Sequence, residues 1–290
     1  MRKKPWLGYA VLLVVTLIWG TTFAVTKSSL DSVPPLYFLA WPFSLAAAGL
    51  LLLNLRQLAA ITPDELVGGL VVGASTAIGY IAQTVGMVYS TAAKAGFITG
   101  LAVVLVPILG ALFYKRRPHW GVYIFAGVAA AGLALLSLDF SKGFSLNQGD
   151  LLLLTCAVVF AINILNIGRF APRCRVLILT LVQVGFTAVC CWIAALFLEE
   201  PVTFSGSVWS GLFYLAIVAT IFTMAGQTWG QRLVAPERAA LVFTLEPVFA
   251  AVFAMLLLGE TLPPAGILGS TLIMTGIIGA ELAPRKGKQR

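Results

Sequence analysis

Ten long apolar stretches, separated by short charged segments, constrain this chain more than any other feature of its sequence. An α-helix needs about 20 mostly apolar residues to cross a bilayer. The stretches between charges are 5–26, 32–55, 66–93, 95–114, 120–138, 151–168, 176–198, 201–231, 239–259 and 261–280. Only the ninth contains a charged residue, Glu246. The pattern predicts an all-α integral membrane protein with ten transmembrane helices. Nine or eleven helices stay open as alternatives, because 201–231 could hold a re-entrant segment.

The composition excludes the soluble classes of protein. Charged residues are 10% of the 290 residues and apolar residues are 60%, whereas a soluble domain carries about 25% charged residues. So few charges cannot cover a water-facing surface, which excludes a soluble enzyme, a disordered protein and a nucleic-acid binder. The basic start, Arg2 to Lys4, is similar to that of a signal peptide. No small-residue cleavage pattern follows at 19–23, so we predict an uncleaved first helix.

The basic residues predict the orientation of the chain. Cytoplasmic segments of membrane proteins carry an excess of Lys and Arg. With ten helices and a cytoplasmic amino terminus, Lys27, Lys94 and Lys142 fall outside, which leaves 16 of the 19 Lys and Arg residues in cytoplasmic segments. We therefore expect both termini in the cytoplasm.

The second half of the sequence repeats the first at an offset of 144 residues. The matching pairs are Thr76/Thr220, Gln83/Gln227, Thr84/Thr228, Gly86/Gly230, Lys94/Arg238 and Gly132/Gly276. We predict two five-helix units, 1–143 and 144–290. Because five is odd, the second unit must cross the membrane in the opposite sense. Such inverted-topology repeats are typical of secondary transporters, whose binding site lies near the midplane where the halves meet.

Four stretches resemble a known family. They are 18–27 (IWGTTFAVTK), 91–112 (TAAKAGFITGLAVVLVPILGAL), 235–262 (APERAALVFTLEPVFAAVFAMLLLGETL) and 271–279 (TLIMTGIIG). Through them the chain resembles the ten-helix, EamA-like family of the drug/metabolite transporter superfamily. The resemblance implies a carrier of the bacterial inner (plasma) membrane. It also implies an exporter of small organic solutes such as amino acids, amines or related metabolites.

Polar and aromatic side chains recur on one face of several apolar helices. A polar group in the hydrocarbon region is costly unless it meets protein or water. These faces therefore predict either a solute cavity or hydrogen bonds between helices, and for any single Thr the second interpretation is favoured. Taken together, we interpret them as substrate-binding residues of a cavity wall. The candidates are Trp19, Thr22, Phe23, Tyr80, Gln83, Asn163, Asn166, Thr223 and Gln227.

Glu246 is the one carboxylate well inside an apolar stretch, about 12 Å along a helix from Arg238. It could carry a coupling proton or pair with a substrate amine. Equally, it could stay protonated and bond the helical turn that Pro247 loosens, because proline has no N–H to donate. Lys94 and Arg238 lie at equivalent helix starts. We interpret both as interface anchors that extend to water, with a charge at the cavity mouth as the alternative.

Other functional classes fit the sequence less well. Intramembrane zinc proteolysis needs a His-Glu-x-x-His pair, and the chain has one His. The four cysteines have no metal-ligand spacing, and no Gly-rich phosphate loop is present. We therefore expect no catalytic residue, no metal and no cofactor. A passive channel for small solutes or a non-transporting membrane subunit stays open as an alternative.

The prediction is thus a secondary transporter that works by alternating access at a central cavity. We expect helices one, three, four, six, eight and nine to line this cavity. Amino acids or related zwitterions are the first substrate hypothesis. The expected partners are the lipid bilayer and a small-molecule substrate, without nucleic acid. We expect a monomer, while the small-residue faces at Gly69-xxx-Gly73 and Gly96-xxx-Gly100 leave a dimer open.

Overall fold

The computed structural model describes residues 4–30, 33–115, 118–138, 147–201, 206–258 and 264–283, excluding the side chains at 23, 24, 27, 28, 206–208 and 254–258. These residues form the ten predicted helices, named α1 to α10 in chain order. Their bounds are Pro5–Ser29, Pro35–Asn54, Pro63–Val88, Ala92–Phe113, Trp120–Ser137, Gln148–Phe170, Val176–Leu198, 206–231, 236–258 and Pro264–Leu282. A short 3-10 helix, Leu55–Ala60, follows α2.

Nine of the ten helices are long and apolar enough to cross a membrane, judged over the part of the chain that the structure describes. The eighth of these is α8, in which a π-helical segment joins two α-helical pieces. The three parts are Gly206–Ala216, Ile217–Phe222 and Thr223–Gln231. Since α8 continues without interruption over 206–231, the re-entrant alternative is wrong for the described part of 201–231.

Two helices are interrupted at equivalent positions. The pieces of α4 are Ala92–Gly100 and Ala102–Phe113, and those of α9 are Pro236–Phe243 and Glu246–Leu258. The intervening residues Leu101 and Leu245 lie 144 positions apart. In α9 the break has a direct cause, because Pro247 has no N–H to donate to the carbonyl of Phe243, where the first piece ends. In α4 the break follows Gly100, a residue of low helix propensity.

Each half of the chain packs mainly against the other half. The largest helix contacts join α5 to α10, α3 to α6 and α7, α2 to α7, α4 to α6, and α1 to α8 and α9. Exchanging the halves converts α1/α8 into α6/α3 and leaves α2/α7 and α5/α10 unchanged. The packing therefore follows a pseudo-two-fold axis through the bundle, as expected for two inverted-topology repeats.

Small residues let the helices approach closely. A Cβ atom added at Gly132 in α5 would lie 2.5 Å from the carbonyl oxygen of Gly269 in α10. A Cβ atom added at Gly73 in α3 would lie 2.9 Å from the carbonyl oxygen of Gln183 in α7. The faces of Gly73 and Gly132 are thus occupied by helices of the same chain.

The first and last helices meet at one face of the bundle. Tyr9, near the start of α1, donates a hydrogen bond of 2.5 Å to Glu281 Oε2, near the end of α10. Arg238, at the start of α9, pairs with the same carboxylate oxygen at 2.7 Å. We call this the terminal face, and the opposite face, where α1 ends and α2 begins, the far face.

Carboxylates fix helix ends at both faces. At the terminal face Glu65 binds Arg175, with Nε to Oε1 at 2.7 Å and Nη2 to Oε2 at 2.8 Å. Hydrogen bonding to Glu65 raises the pKa of Arg175 above its ordinary value. At the far face the Glu199 carboxylate accepts hydrogen bonds from the backbone N–H groups of Leu36 (3.0 Å) and Tyr37 (3.1 Å). Glu199 thereby satisfies two unpaired donors at the start of α2.

Candidate functional site

A cavity lies between the two halves, with about 1330 Å³ of space between the atoms when its mouth is included. Its walls come from α1 to α4 in the first half and from α6 to α9 in the second. In the described residues α5 and α10 contribute no lining and pack against each other outside the wall. The lining includes α2 and α7 in addition to the six predicted helices.

The cavity lies on the pseudo-two-fold axis. Twenty of its lining residues form ten pairs at the offset of 144. The pairs are Trp19/Asn163, Leu39/Gln183, Thr76/Thr220, Tyr80/Met224, Gln83/Gln227, Gly96/Ala240, Thr99/Phe243, Gly100/Thr244, Ala102/Glu246 and Val103/Pro247. Each half therefore presents the same positions to the same space, mostly with different side chains.

The cavity extends further toward the far face than toward the terminal face. Seven further lining residues come from α1, α2 and α3, most of them near the far-face ends of these helices: Thr22, Thr26, Phe38, Pro42, Phe43, Thr84 and Met87. Their counterparts toward the terminal face do not line it: Asn166, Phe170, Val182, Phe186, Thr187, Thr228 and Gln231. The two halves thus differ in how they meet the cavity, although their sequences repeat.

Aromatic rings form two groups in the wall. The first joins α1 to α9, where the rings of Trp19 and Phe243 lie 5.4 Å apart. The second joins α2, α3 and α6, where Tyr80 lies 5.2 Å from Phe43 and 5.4 Å from Phe160. Tilted and edge-to-face contacts at these distances are favourable, so the rings support one another in fixed orientations.

Thr223 lies behind the wall and positions a wall residue. The indole Nε1 of Trp19 donates a hydrogen bond of 3.0 Å to Thr223 Oγ1, and that hydroxyl donates to the carbonyl of Ala219 at 2.6 Å. Both hydrogen-bonding groups of the hydroxyl are therefore used within the protein. Thr223 was predicted to line the cavity, but it is not among the lining residues. The Trp19 ring lies between Thr223 and the cavity.

Amide side chains connect the helices of the wall. The Nδ2 atom of Asn163 in α6 lies 3.1 Å from the carbonyl oxygen of Val72 and 3.0 Å from both Ser75 Oγ and Thr76 Oγ1, all in α3. Gln183 Nε2 in α7 donates to Thr76 Oγ1 at 3.0 Å. Asn163 thus lines the cavity and also makes the helix-to-helix hydrogen bonds of the alternative interpretation.

The remaining residues predicted to bind substrate have three outcomes. Thr22, Tyr80, Gln83 and Gln227 line the cavity, as Trp19 and Asn163 do. Asn166 does not, because it lies one turn closer to the terminal face, where its Oδ1 accepts a hydrogen bond of 2.7 Å from Tyr114. The side chain of Phe23 falls outside the described residues.

Glu246 and Pro247 line the cavity at the break of α9. Glu246 is the one charged side chain among the described lining residues. It has no hydrogen-bond or ion-pair partner in the described part of the chain. Its counterpart at the offset of 144 is Ala102, so the cavity holds a single carboxylate and is not symmetric in charge.

Lys94 and Arg238 lie outside the cavity wall. Lys94 Nζ contacts Asp150 Oδ2 at 2.6 Å, which links α4 to the start of α6 at the far face. Arg238 is paired with Glu281 at the terminal face. In this structure neither basic side chain provides the alternative cavity-mouth charge, because each is engaged by a carboxylate.

Sequence reasoning missed the contribution of α2 and α7. Phe38, Leu39, Pro42 and Phe43 come from α2 and Gln183 from α7. The apolar members carry no sequence signal, because a residue facing a cavity and a residue facing lipid are equally apolar. A polar group in the middle of an apolar helix, in contrast, does indicate a special environment, and Gln183 is such a residue.

Comparison with known proteins adds a family and a fold. Residues 6–138 and 147–281 each match the EamA-like transporter family. An uncharacterized transporter from Archaeoglobus fulgidus is 33% identical over 259 residues, which cover 89% of this chain and 80% of that protein. The uncharacterized transporter YyaM from Bacillus subtilis is 26% identical, with 85% of this chain and 84% of that protein covered.

A protein of known crystal structure has the same fold. It superimposes with a TM-score of 0.79 over 95% of this chain and 97% of its own, at 21% sequence identity. This likeness concerns the arrangement of the helices alone. The two family matches, one in each half, agree with the duplication read from the 144-residue offset.

Proposed function

Because this chain belongs to the EamA-like transporter family, we propose that it is a secondary transporter that moves small organic metabolites by alternating access. The first substrate hypothesis is amino acids or related zwitterions, moved outward across a bacterial plasma membrane. Both termini then lie in the cytoplasm, which makes the far face the external face. The excess of basic residues in the segments on the side of the termini supports this orientation.

The observation that carries the proposal is the set of ten paired positions around the cavity. In an inverted repeat, each half can adopt the conformation of the other, and the mouth of the cavity then moves to the opposite face. The rocking of one half against the other would bring the counterparts of the far-face residues into contact with the solute. The breaks in α4 and α9, which lie at related positions beside the cavity, supply places where the backbone can adjust.

Unsatisfied polar atoms on the closed side support this exchange. Thr228 Oγ1 and Gln231 Oε1 are buried and have no hydrogen-bond partner in the described residues. Their counterparts Thr84 and Met87 line the cavity toward the far face. A buried polar atom without a partner is costly, and exposure of Thr228 and Gln231 to a cavity open at the terminal face would hydrate them.

Glu246 has three possible roles in this scheme. As a proton carrier it would couple transport to the proton gradient, and as a counter-ion it would bind a substrate amine. As a structural group it would hydrogen-bond the loosened turn before Pro247. The absence of any hydrogen bond from Glu246 to the described residues argues against the third role and favours a carboxylate that acts on the solute or on a proton.

Flux measurements test whether the protein is a secondary transporter. The purified chain is reconstituted in liposomes, and the uptake of radiolabelled amino acids, amines and nucleosides is measured with and without unlabelled solute inside. A secondary transporter gives saturable flux that is accelerated by solute on the opposite side. Flux that rises linearly with concentration would indicate a channel, and no flux of any solute would favour a non-transporting subunit.

Thiol labelling tests the alternating cavity. In a variant whose four native cysteines are replaced by Ala, Thr22→Cys, which is partly exposed in the cavity, should react with a membrane-impermeant methanethiosulfonate from the far face. The matched variant Asn166→Cys, at a buried position, should react from the terminal face, and only when transported solute is present. If Asn166→Cys stays protected during turnover, the exchange of the two openings is refuted.

A further inference from the structure

The charge and the rings of the cavity wall narrow the substrate class. Glu246 is the one charged side chain among the described lining residues, and it faces the cavity without a partner from the described protein. A carboxylate that enters a water-poor site takes up a proton unless a positive charge lies nearby. No Lys, Arg or His is found among the described lining residues to provide it.

The aromatic rings lie where a cation would use them. Phe243 is one turn before Glu246 on α9 and contacts the Trp19 ring, while Tyr80 and Phe160 line the same cavity. The negative face of an aromatic ring attracts ammonium groups, and aromatic surroundings recognise quaternary ammonium ligands. The hydrogen bond from Trp19 Nε1 to Thr223 uses the polar edge of the indole and leaves its face for other contacts.

A zwitterion or an anion would meet the opposite situation. An α-carboxylate in this cavity would lie in the field of Glu246 and would find hydroxyl and amide groups, but no basic side chain among the described residues. The hydrogen-bond donors of the wall are also partly used, since Asn163 and Gln183 donate to α3. The site is therefore better suited to one positive charge than to a balanced pair of charges.

We propose that the substrates are monovalent organic cations, amines or quaternary ammonium compounds with an apolar or aromatic body, with Glu246 as their counter-ion. The proposal rests on the transport function proposed above and selects the amines from among the metabolites considered there. It replaces the zwitterion hypothesis with a class defined by net charge. The wall rings contact the body of the solute, and the carboxylate fixes its charged end beside the break of α9.

A binding panel with a constant body isolates the effect of charge. The probes are phenethyltrimethylammonium, phenethylammonium, phenylalanine and phenylacetate, which share a phenyl group and differ in net charge. Binding to the purified full chain in detergent is followed by calorimetry. Both cations should bind at least tenfold more tightly than phenylalanine, and phenylacetate should not bind. Phenylalanine binding that equals or exceeds that of the cations overturns the proposal.

Two substitutions test the role of Glu246 itself. Glu246→Gln should abolish the preference for the cations, while Glu200→Gln, an exposed carboxyl group outside the cavity, should leave it unchanged. Adding Ala102→Glu to Glu246→Gln returns a carboxylate to the two-fold related position and should restore cation binding at least in part. An unchanged preference in Glu246→Gln overturns the proposal. If that variant does not fold, the binding panel on the unmodified chain decides.

Flux separates this proposal from the one on which it rests. The trimethyl derivative is permanently charged and does not cross lipid as a neutral amine, so its uptake into proteoliposomes reports the protein. Cation binding without flux would refute the transporter proposal and support the site. Saturable phenylalanine flux without cation binding would refute the cation proposal and leave the transporter proposal intact.

Discussion

Replacing Asn163 by Ala should destabilise the protein more than the same change at Asn166. The two residues are three positions apart in α6 and both are buried, at 5% and 6% exposure, so the loss of side-chain volume is the same. They differ in their hydrogen bonds. The amide of Asn163 has three acceptors in α3 within 3.1 Å, whereas Asn166 accepts one hydrogen bond, from Tyr114.

The expected difference follows from the number of bonds. An Nδ2 group has two hydrogens, so Asn163 can contribute two full hydrogen bonds, shared among three acceptors. Hydrogen bonds between membrane helices contribute about 0.6 kcal/mol each on average. The polar contribution lost is then about 1.2 kcal/mol for Asn163→Ala and about 0.6 kcal/mol for Asn166→Ala. Tyr114 is only partly buried, so its hydroxyl can find water, which keeps the second loss small.

Reversible unfolding by titration of mixed detergent micelles with sodium dodecyl sulfate measures both free energies of unfolding. Because Asn163 also lines the cavity, Asn163→Ala should change the KM for a transported solute as well. Equal destabilisation by the two substitutions would refute the hydrogen-bond argument. An unchanged KM in Asn163→Ala would refute the assignment of Asn163 to the cavity wall.

Three further outcomes follow from contacts outside the cavity. Glu199→Ala should lower the free energy of unfolding by about 1 kcal/mol through loss of the α2 cap, and Glu200→Ala, which caps nothing in the described structure, should not. Gly132→Ala should destabilise because its Cβ would meet α10 at 2.5 Å, whereas Gly127→Ala, with no atom within 4 Å, should be neutral or stabilising by up to about 1 kcal/mol; thermal unfolding in detergent compares them. Burial raises the pKa of the Cys174 thiol above its usual value. Its maleimide reaction in a variant without the other cysteines should therefore rise with pH at a higher midpoint than that of a free thiol, and a midpoint at or below the free value would contradict this.

The helices were predictable because a bilayer sets a length requirement that the apolar stretches meet directly. The 144-residue offset was predictable as well, since Gln83/Gln227 and Gly132/Gly276 are identical pairs in the sequence. It fixed the register in which the two halves meet around the cavity. The break at Glu246 and Pro247 was also foreseeable from the missing N–H of proline.

The details of the wall were less predictable. Asn166 and Thr223 share helix faces with lining residues, yet one turn along the axis or one intervening ring removes them from the cavity. Periodicity defines a face and not a depth, so it cannot distinguish these cases. Phe43 and the other apolar residues of α2 carry no signal at all, because lipid and cavity favour the same side chains there.

The dependence of each half on the other has a consequence for how the protein is made. Helices α1 to α5 leave the ribosome first, and during that interval the polar groups of Thr76 and Gln83 have no second half to face. The largest contacts of these helices are with helices of the second half, and the contact of α5 with α10 forms only when synthesis is nearly finished. Until then these polar groups must contact the insertion machinery or lipid, because the helices that cover them in the complete bundle are missing. A slow or truncated synthesis would expose the first five helices to degradation while their later partners are still missing.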